Sequence, residues 1–409
     1  MGPVSVFYFI FSSFSLAGFF RTDALLSMWD QTHINYYTHL EPIRDSLPPI
    51  HLVNPFQPSR PGIPLKERDL PGQVGYVRLT VENSLGAWPG DSGRNCERGY
   101  KCPDPTLLPM DPWGEQSRWI DIGAGGPKNV SWKMEVDVDW LTVEPRKGKT
   151  VWDGSGDERI WVSVDWDRVP ASTKGETVEK EGHIEFSATD RTNVTISVPI
   201  IIPPSPQSSF RGHVEGDGYV VIETAHYTRN TSAEGYAFEE LEGYGRTLSG
   251  LEMFPVTTQN FTLGKGPKLE YDFWAHGDSV DGNGKVEITV QVGPTLNFLV
   301  GKELAFGLQL DDLPPKEIHP VPTKGLGESD SDRNPGEVGS VPKDWMEVVS
   351  NEIRNATMEV TKDDWEAGRH TVTIWGMTTG VVVERIWVDM GGIRERGYSY
   401  LGPPESKRV

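Results

Sequence analysis

Cysteine is scarce in this sequence: Cys96 and Cys102 are the only two in 409 residues. With no further Cys or His pair beside them, a zinc site is disfavoured. Both lie in one loop-like stretch, GRNCERGYKCPDP, and read as a small local disulfide if the chain is secreted. Basic charge is also short, with 39 Lys and Arg against 59 Asp and Glu and a net charge of −20. That argues against nucleic acid or an anionic membrane surface as partner, because phosphate binding needs a basic face. Nor does it give long-range attraction to an acidic polysaccharide. The apolar stretch at residues 4–20 is shorter than a comfortable membrane span and is interrupted by Ser. It reads as a signal peptide lacking the usual basic residue, or as a mispredicted first exon, so residues 1–27 are set aside from the fold. Motifs of catalysis are missing too: no phosphate loop, no HExxH and no nucleophile elbow. The nine His are scattered, and His226 reads as a hydrogen-bonded structural imidazole rather than a ligand.

What is present is turn chemistry and alternation. Forty-four Gly and 32 Pro suit many short strands better than long helices. Fourteen Trp read mainly as core plugs, with sugar stacking as the alternative. Residues 28–53 are helix-compatible until Pro48-Pro49, and residues 54–72 hold five prolines and read as a linker. From 73 to 202, runs such as Trp119–Ile122, Ile160–Trp166 and Val194–Val198 alternate with period two between Gly, Pro, Asn and Asp. An immunoglobulin-like sandwich is expected there, without the Cys-Trp-Cys core of antibody domains. Residues 203–209 form a Pro- and Ser-rich boundary. A second β domain follows over 210–402, with apolar stripes at Leu269/Tyr271/Phe273, Val286 to Val292 and Leu304 to Leu310. Pro314–Asp344 reads as a long loop and Trp345–Arg354 as a short helix. The fold class predicted is therefore all-β: two sandwiches preceded by a short helical remnant.

One stretch organises the rest. Residues 214–250 begin with a half-buried strand around Val220 and Ile222 and end in a segment containing Gly243, Gly245 and Gly250. IETAHYTRNTSAEG, then GYGRTLSGLEMFPVT, resemble the start of the C-terminal domain of glycoside hydrolase family 115, the xylan α-1,2-glucuronidases. The resemblance continues through Pro267–Tyr271, Pro294–Phe298, Gln309–Pro315, Gly368–Ile374, Val388–Gly392 and Tyr400–Ser406. Upstream, Met28–His33 and Leu47-Pro48-Pro49 are similar to the run that closes the helical region after the family's catalytic barrel. Leu107–Gly114 and Arg118–Ile122 are similar to its inserted β domain. The resemblance covers about residues 28–406 and implies a second domain of jelly-roll, galactose-binding-like type. It also implies that the catalytic groups sit on a barrel that this chain lacks.

Glycoside hydrolysis needs two carboxyl groups flanking one bond. Asp311-Asp312 is the most visible pair, but neighbours on a strand point to opposite faces, so a turn before Pro314-Pro315 is the expected reading. No catalytic residue and no cofactor are assigned. Jelly-roll modules similar to this one hold a structural Ca²⁺ between the first and last strands. Glu223 and Asp389 stand at the corresponding places, with a departure at Ala225, where a second carboxylate is expected. Tyr236, Tyr244 and Trp274 are candidates for carbohydrate contact, although core packing suits each as well. Asn129, Asn193, Asn230, Asn260 and Asn355 carry glycosylation sequons, which fit a secreted glycoprotein. The functional expectation is a secreted, non-catalytic C-terminal region of a family 115 α-glucuronidase-like enzyme. Its partner would be glucuronoxylan or its oligosaccharides, with a homo-oligomer left open. The alternatives are a stand-alone carbohydrate-binding protein and an accessory subunit or truncated gene model whose catalytic half lies upstream.

Overall fold

The computed structural model describes residues 77–84, 88, 104–124, 129–151, 155–169, 176–277, 284–298, 303–321, 342, 344–393, 398 and 400–409. The expected leader, helical remnant, Pro-rich linker and Cys96–Cys102 pair lie outside these residues. The chain divides into two compact units, Met1–Pro204 and Ser205–Val409.

The first unit is built from β1 (Val77–Val81), β2 (Ser117–Ala124), β3 (Val130–Val136), β4 (Leu141–Glu144), β5 (Lys147–Thr150), β6 (Glu158–Val164), β7 (Val178–Ala188) and β8 (Asn193–Ile202). They form two four-stranded sheets, β1-β2-β6-β4 and β5-β3-β7-β8. The first, second, fourth and sixth strands thus make one sheet and the third, fifth, seventh and eighth the other, a two-sheet antiparallel sandwich. The cause is visible in the burial pattern. In β8 every second residue (Val194, Ile196, Val198, Ile200, Ile202) is buried, and the residues between face outward. Both sheets turn such faces into one apolar cluster that includes Leu79, Ile122, Val162, Met134 and Ile184.

The second unit contains β9 (His213–Val214), β10 (Tyr219–Glu223), β11 (Arg229–Thr231), β12 (Ala237–Glu242), β13 (Ser249–Phe254), β14 (Lys268–Ala275), β15 (Lys285–Val292), β16 (Phe306–Leu310), β17 (Lys316–Ile318), a helix α1 (Trp345–Asn351), β18 (Arg354–Thr361), β19 (Gly368–Gly376) and β20 (Val383–Asp389). One sheet runs β12-β13-β20-β15-β18, with β10 also on β20. The other runs β11-β14-β19-β16-β17, with β9 parallel to β14. The expected stripes line the space between the sheets: Leu269, Tyr271, Phe273, Val286, Ile288, Val290, Leu308 and Leu310 are all fully buried in one cluster. The chain is thus all-β apart from short helical turns, among the described residues.

Two boundaries differ from expectation. The helix expected to reach Arg354 ends at Asn351, because Glu352 adopts a left-handed conformation (φ 59°) that stops it. Arg354 then opens β18, buried and bound to both Asp344 carboxylate oxygens at 2.8 and 3.0 Å. The loop expected over 314–344 carries the edge strand β17 at its start.

Candidate functional site

The polar residues of interest gather where the end of β10, the start of β20 and the C-terminal segment meet. In the β10–β20 register Glu223 faces Arg385 and Tyr219 faces Asp389. The two carboxylates expected to share a calcium ion therefore lie four residues apart along the strands, about 13 Å at strand rise. The structure does not bring them together. Glu223 Oε1 is 2.9 Å from Arg385 Nε, and its Oε2 accepts a hydrogen bond from Thr247 at 2.8 Å. Asp389 instead accepts from the backbone N–H groups of Gly391 and Ile393, capping the turn after β20. Burial raises the Glu223 carboxyl, against the pull of Arg385 and Thr247.

Arg385 also donates to the carbonyls of Leu401 and Pro403, at 2.8 and 2.6 Å. Those bonds draw in the C-terminal segment, and the backbone continues the attachment. Ser406 N donates to Val221 O, Val214 N to Lys407 O, and Gly212 and Val409 exchange both of their bonds. Glu405 is thereby placed between two histidines. His213 Nε2 lies 3.1 Å from its Oε1, and His226 Nδ1 lies 2.8 and 2.9 Å from its two oxygens. The backbone N–H of Glu223 adds a fourth bond at 3.1 Å. Burial would raise the Glu405 carboxyl, but the donors from His213, His226 and Glu223 outweigh it and bring it down to about 2. Among the described residues, these three side chains are the group whose ligating atoms all lie within 4.8 Å of one another.

Beside them on β20, Glu384 is 2% exposed. Its Oε1 has no hydrogen-bond partner, and its Oε2 accepts from Arg246 N at 3.3 Å. Burial pushes its carboxyl up to about 7, against the opposing effect of Arg246. Arg246 packs over the Tyr400 ring at 4.6 Å. On the other sheet, Asp311 sits at φ 48° in the turn after β16. Its Oδ1 accepts from Thr371 N at 2.7 Å, and its Oδ2 is 2.7 Å from His370 Nδ1. Asp312 is exposed, so the visible acid pair is a turn whose first member fixes a histidine.

With that geometry in view, the family model of the glycosyl hydrolase family 115 C-terminal domain matches residues 212–405. The second unit is a family 115 C-terminal domain. No curated protein matches this chain. Among solved structures the chain is similar to a family 115 4-O-methyl-alpha-glucuronidase with specificity for decorated arabinogalactans, at 16% identity and a TM-score of 0.28. That likeness covers 45% of this chain and 18% of the enzyme. It is also similar to a family 35 carbohydrate binding module from Clostridium thermocellum, at 12% identity and a TM-score of 0.23, covering 41% of this chain and 97% of the module. The chain spans less than a fifth of the length of the family 115 enzyme.

The aromatic candidates in the family 115 domain are held by neighbours. Tyr236 packs edge-on against Phe261 at 5.2 Å, and its hydroxyl is 2.8 Å from Thr257 Oγ1. Trp274 meets Phe210 edge-on at 5.5 Å. Tyr244 fills the space above Gly293 and Gly250: a Cβ on Gly293 would stand 2.3 Å from its hydroxyl. Of the sequon asparagines, Asn193, Asn260 and Asn355 are exposed and Asn129 is half-buried. Asn230 Nδ2, the atom a glycan would take, donates to Phe238 O at 2.9 Å. Sequence reasoning missed His213 and Glu405. No local spacing signals them, since 192 residues separate the two.

Proposed function

We propose that this chain serves as the non-catalytic C-terminal region of a family 115 α-glucuronidase-like glycoside hydrolase acting on glucuronoxylan, with a structural and subunit-contact role. The observation that carries the reading is the family 115 C-terminal domain over residues 212–405. The side chains add support. Asp311 is bonded to His370, Glu223 is ion-paired with Arg385, Asp389 is bonded to its own turn and Glu405 to two histidines. None of these acids is disposed to act as one of two carboxyl groups flanking a glycosidic bond. Tyr236 and Trp274 are engaged in packing, which favours support over sugar stacking. The sequons favour secretion and an extracellular glycan as the whole enzyme's substrate. No described helix is long and apolar enough to cross a membrane.

The purified chain is expected to release no 4-O-methylglucuronic acid from glucuronoxylan oligosaccharides. Measurable release would overturn the reading. Affinity electrophoresis through a glucuronoxylan gel separates the roles: unretarded migration supports a structural module, and retardation transfers the role to glycan binding.

A further inference from the structure

We propose that His213, His226 and Glu405 form a mononuclear transition-metal site, two imidazole nitrogens and one carboxylate, selective for Zn²⁺ or a neighbouring late first-row ion. The three side chains come from different segments: β9, the turn that ends β10 and the C-terminal tail. Their positions are set by backbone bonds rather than by the side chains themselves, because the tail is laced to Val221, Val214 and Gly212 by main-chain hydrogen bonds. A ligand set on such a scaffold is organised before any ion arrives.

The distances fit. In a tetrahedral zinc site with bonds of about 2.0–2.1 Å, ligand atoms stand roughly 3.3–3.5 Å apart. Here the carboxylate oxygens are 2.8 to 3.1 Å from the two ring nitrogens. Parting the groups by a few tenths of an ångström makes room for the ion. A bound ion would replace two histidine-to-carboxylate hydrogen bonds, while the Glu223 N–H, which already points at Glu405, would remain to orient that ligand. His213 is 3% exposed, whereas His226 is 42% exposed, so a fourth position is open to solvent on the His226 side.

The donor set chooses the ion. Calcium and magnesium take oxygen ligands, and this site offers two nitrogens. Imidazole with carboxylate suits Zn²⁺, Ni²⁺ and Cu²⁺. The nearby cation that would repel an ion is Arg385, and its charge is matched by Glu223 at 2.9 Å and by two carbonyls. The competing arrangement is a purely organic clamp, with the two histidines hydrogen-bonded to Glu405 and no ion between them.

The full chain, stripped with chelator, would be titrated with ZnCl₂ at pH 7.5 by calorimetry and by thermal melts. One ion per chain is expected, with a Tm rise of several degrees at hundredfold excess over Kd. Mg²⁺ and Ca²⁺ at the same concentration should leave Tm unchanged. His226→Ala removes the most exposed ligand and should weaken Zn²⁺ binding at least tenfold, while His183→Ala, in the first unit, should not. Co²⁺ should give a visible ligand-field spectrum without a thiolate charge-transfer band, which distinguishes this site from Cys96 and Cys102. If His226→Ala does not fold, the Co²⁺ spectrum of the unaltered chain decides between nitrogen–oxygen and sulfur ligation. Absence of zinc binding, unchanged affinity in His226→Ala, or a sulfur-type Co²⁺ spectrum would overturn the proposal.

Discussion

His370 offers a quantitative test of the electrostatics in the second unit. Its ring is stacked on Trp365 at 4.4 Å and 9°, and lies 5.2 Å from Phe273. Nδ1 faces Asp311 Oδ2 and Nε2 faces the carbonyl of Glu366, both at 2.7 Å. Two acceptors, one on each nitrogen, are satisfied together only by the doubly protonated imidazolium. Burial works against that charge, yet the bond to Asp311, the Glu366 carbonyl and the nearby Asp311 and Glu215 charges raise the His370 pKa above its ordinary value. A histidine raised on folding contributes stability that is complete below the unfolded value of about 6.5 and fades as pH climbs through the higher folded value. Asp311→Asn keeps an acceptor for Nδ1 but removes the negative charge. A hydrogen bond to a charged group contributes about 1.5–3 kcal/mol, and the partial exposure of Asp311 places this one near the lower end. For a unit of about 200 residues that corresponds to a Tm loss of roughly 3–6 °C. Melting both proteins by circular dichroism at pH 5.8 and pH 9 should show the full gap at the lower pH and a much smaller one at the higher. Equal gaps at the two values would refute a charged His370. A larger gap at pH 9 would reverse the sign of the argument.

Other expectations follow from single contacts. Glu384→Gln should raise Tm above pH 7, because the buried carboxyl held at about 7 must ionise there without a partner for Oε1. Below pH 5, where the native carboxyl is protonated, melting curves of the two proteins should converge. Gly293→Ala drives a methyl group to 2.3 Å from the Tyr244 hydroxyl, so denaturant titration should show a loss of about 1–3 kcal/mol. Adding Tyr244→Ala should recover part of it, and a strictly additive double variant would refute the clash. Leu308→Ala empties a fully buried position between the sheets and should lower unfolding free energy by about 2–5 kcal/mol.

Much of the fold could be read in advance where burial and period agree. In β15, Val286, Ile288, Val290 and Val292 are spaced two apart and all face the core. β12 (AFEELE) buries only Phe238, so its sequence carries no stripe to find. β18 alternates cleanly in burial, but its first inward residue is Arg354, which a hydrophobic pattern passes over. The site shows the same division. Glu223 stands out as an acid at the end of an apolar strand, yet its partner depends on register, and the register gives it Arg385 rather than Asp389. Glu405 falls in a tail segment whose importance appears only once the tail is seen paired with β9 and β10. Long-range pairing of this kind leaves no periodic trace.

The bond exchange between Gly212 and Val409 has a practical side. The family 115 domain enters and leaves its sandwich through adjacent backbone positions. It is therefore built like a cassette: a host protein with two neighbouring loop ends could accept it without being pried apart, and a permuted version could be closed by a short bridge.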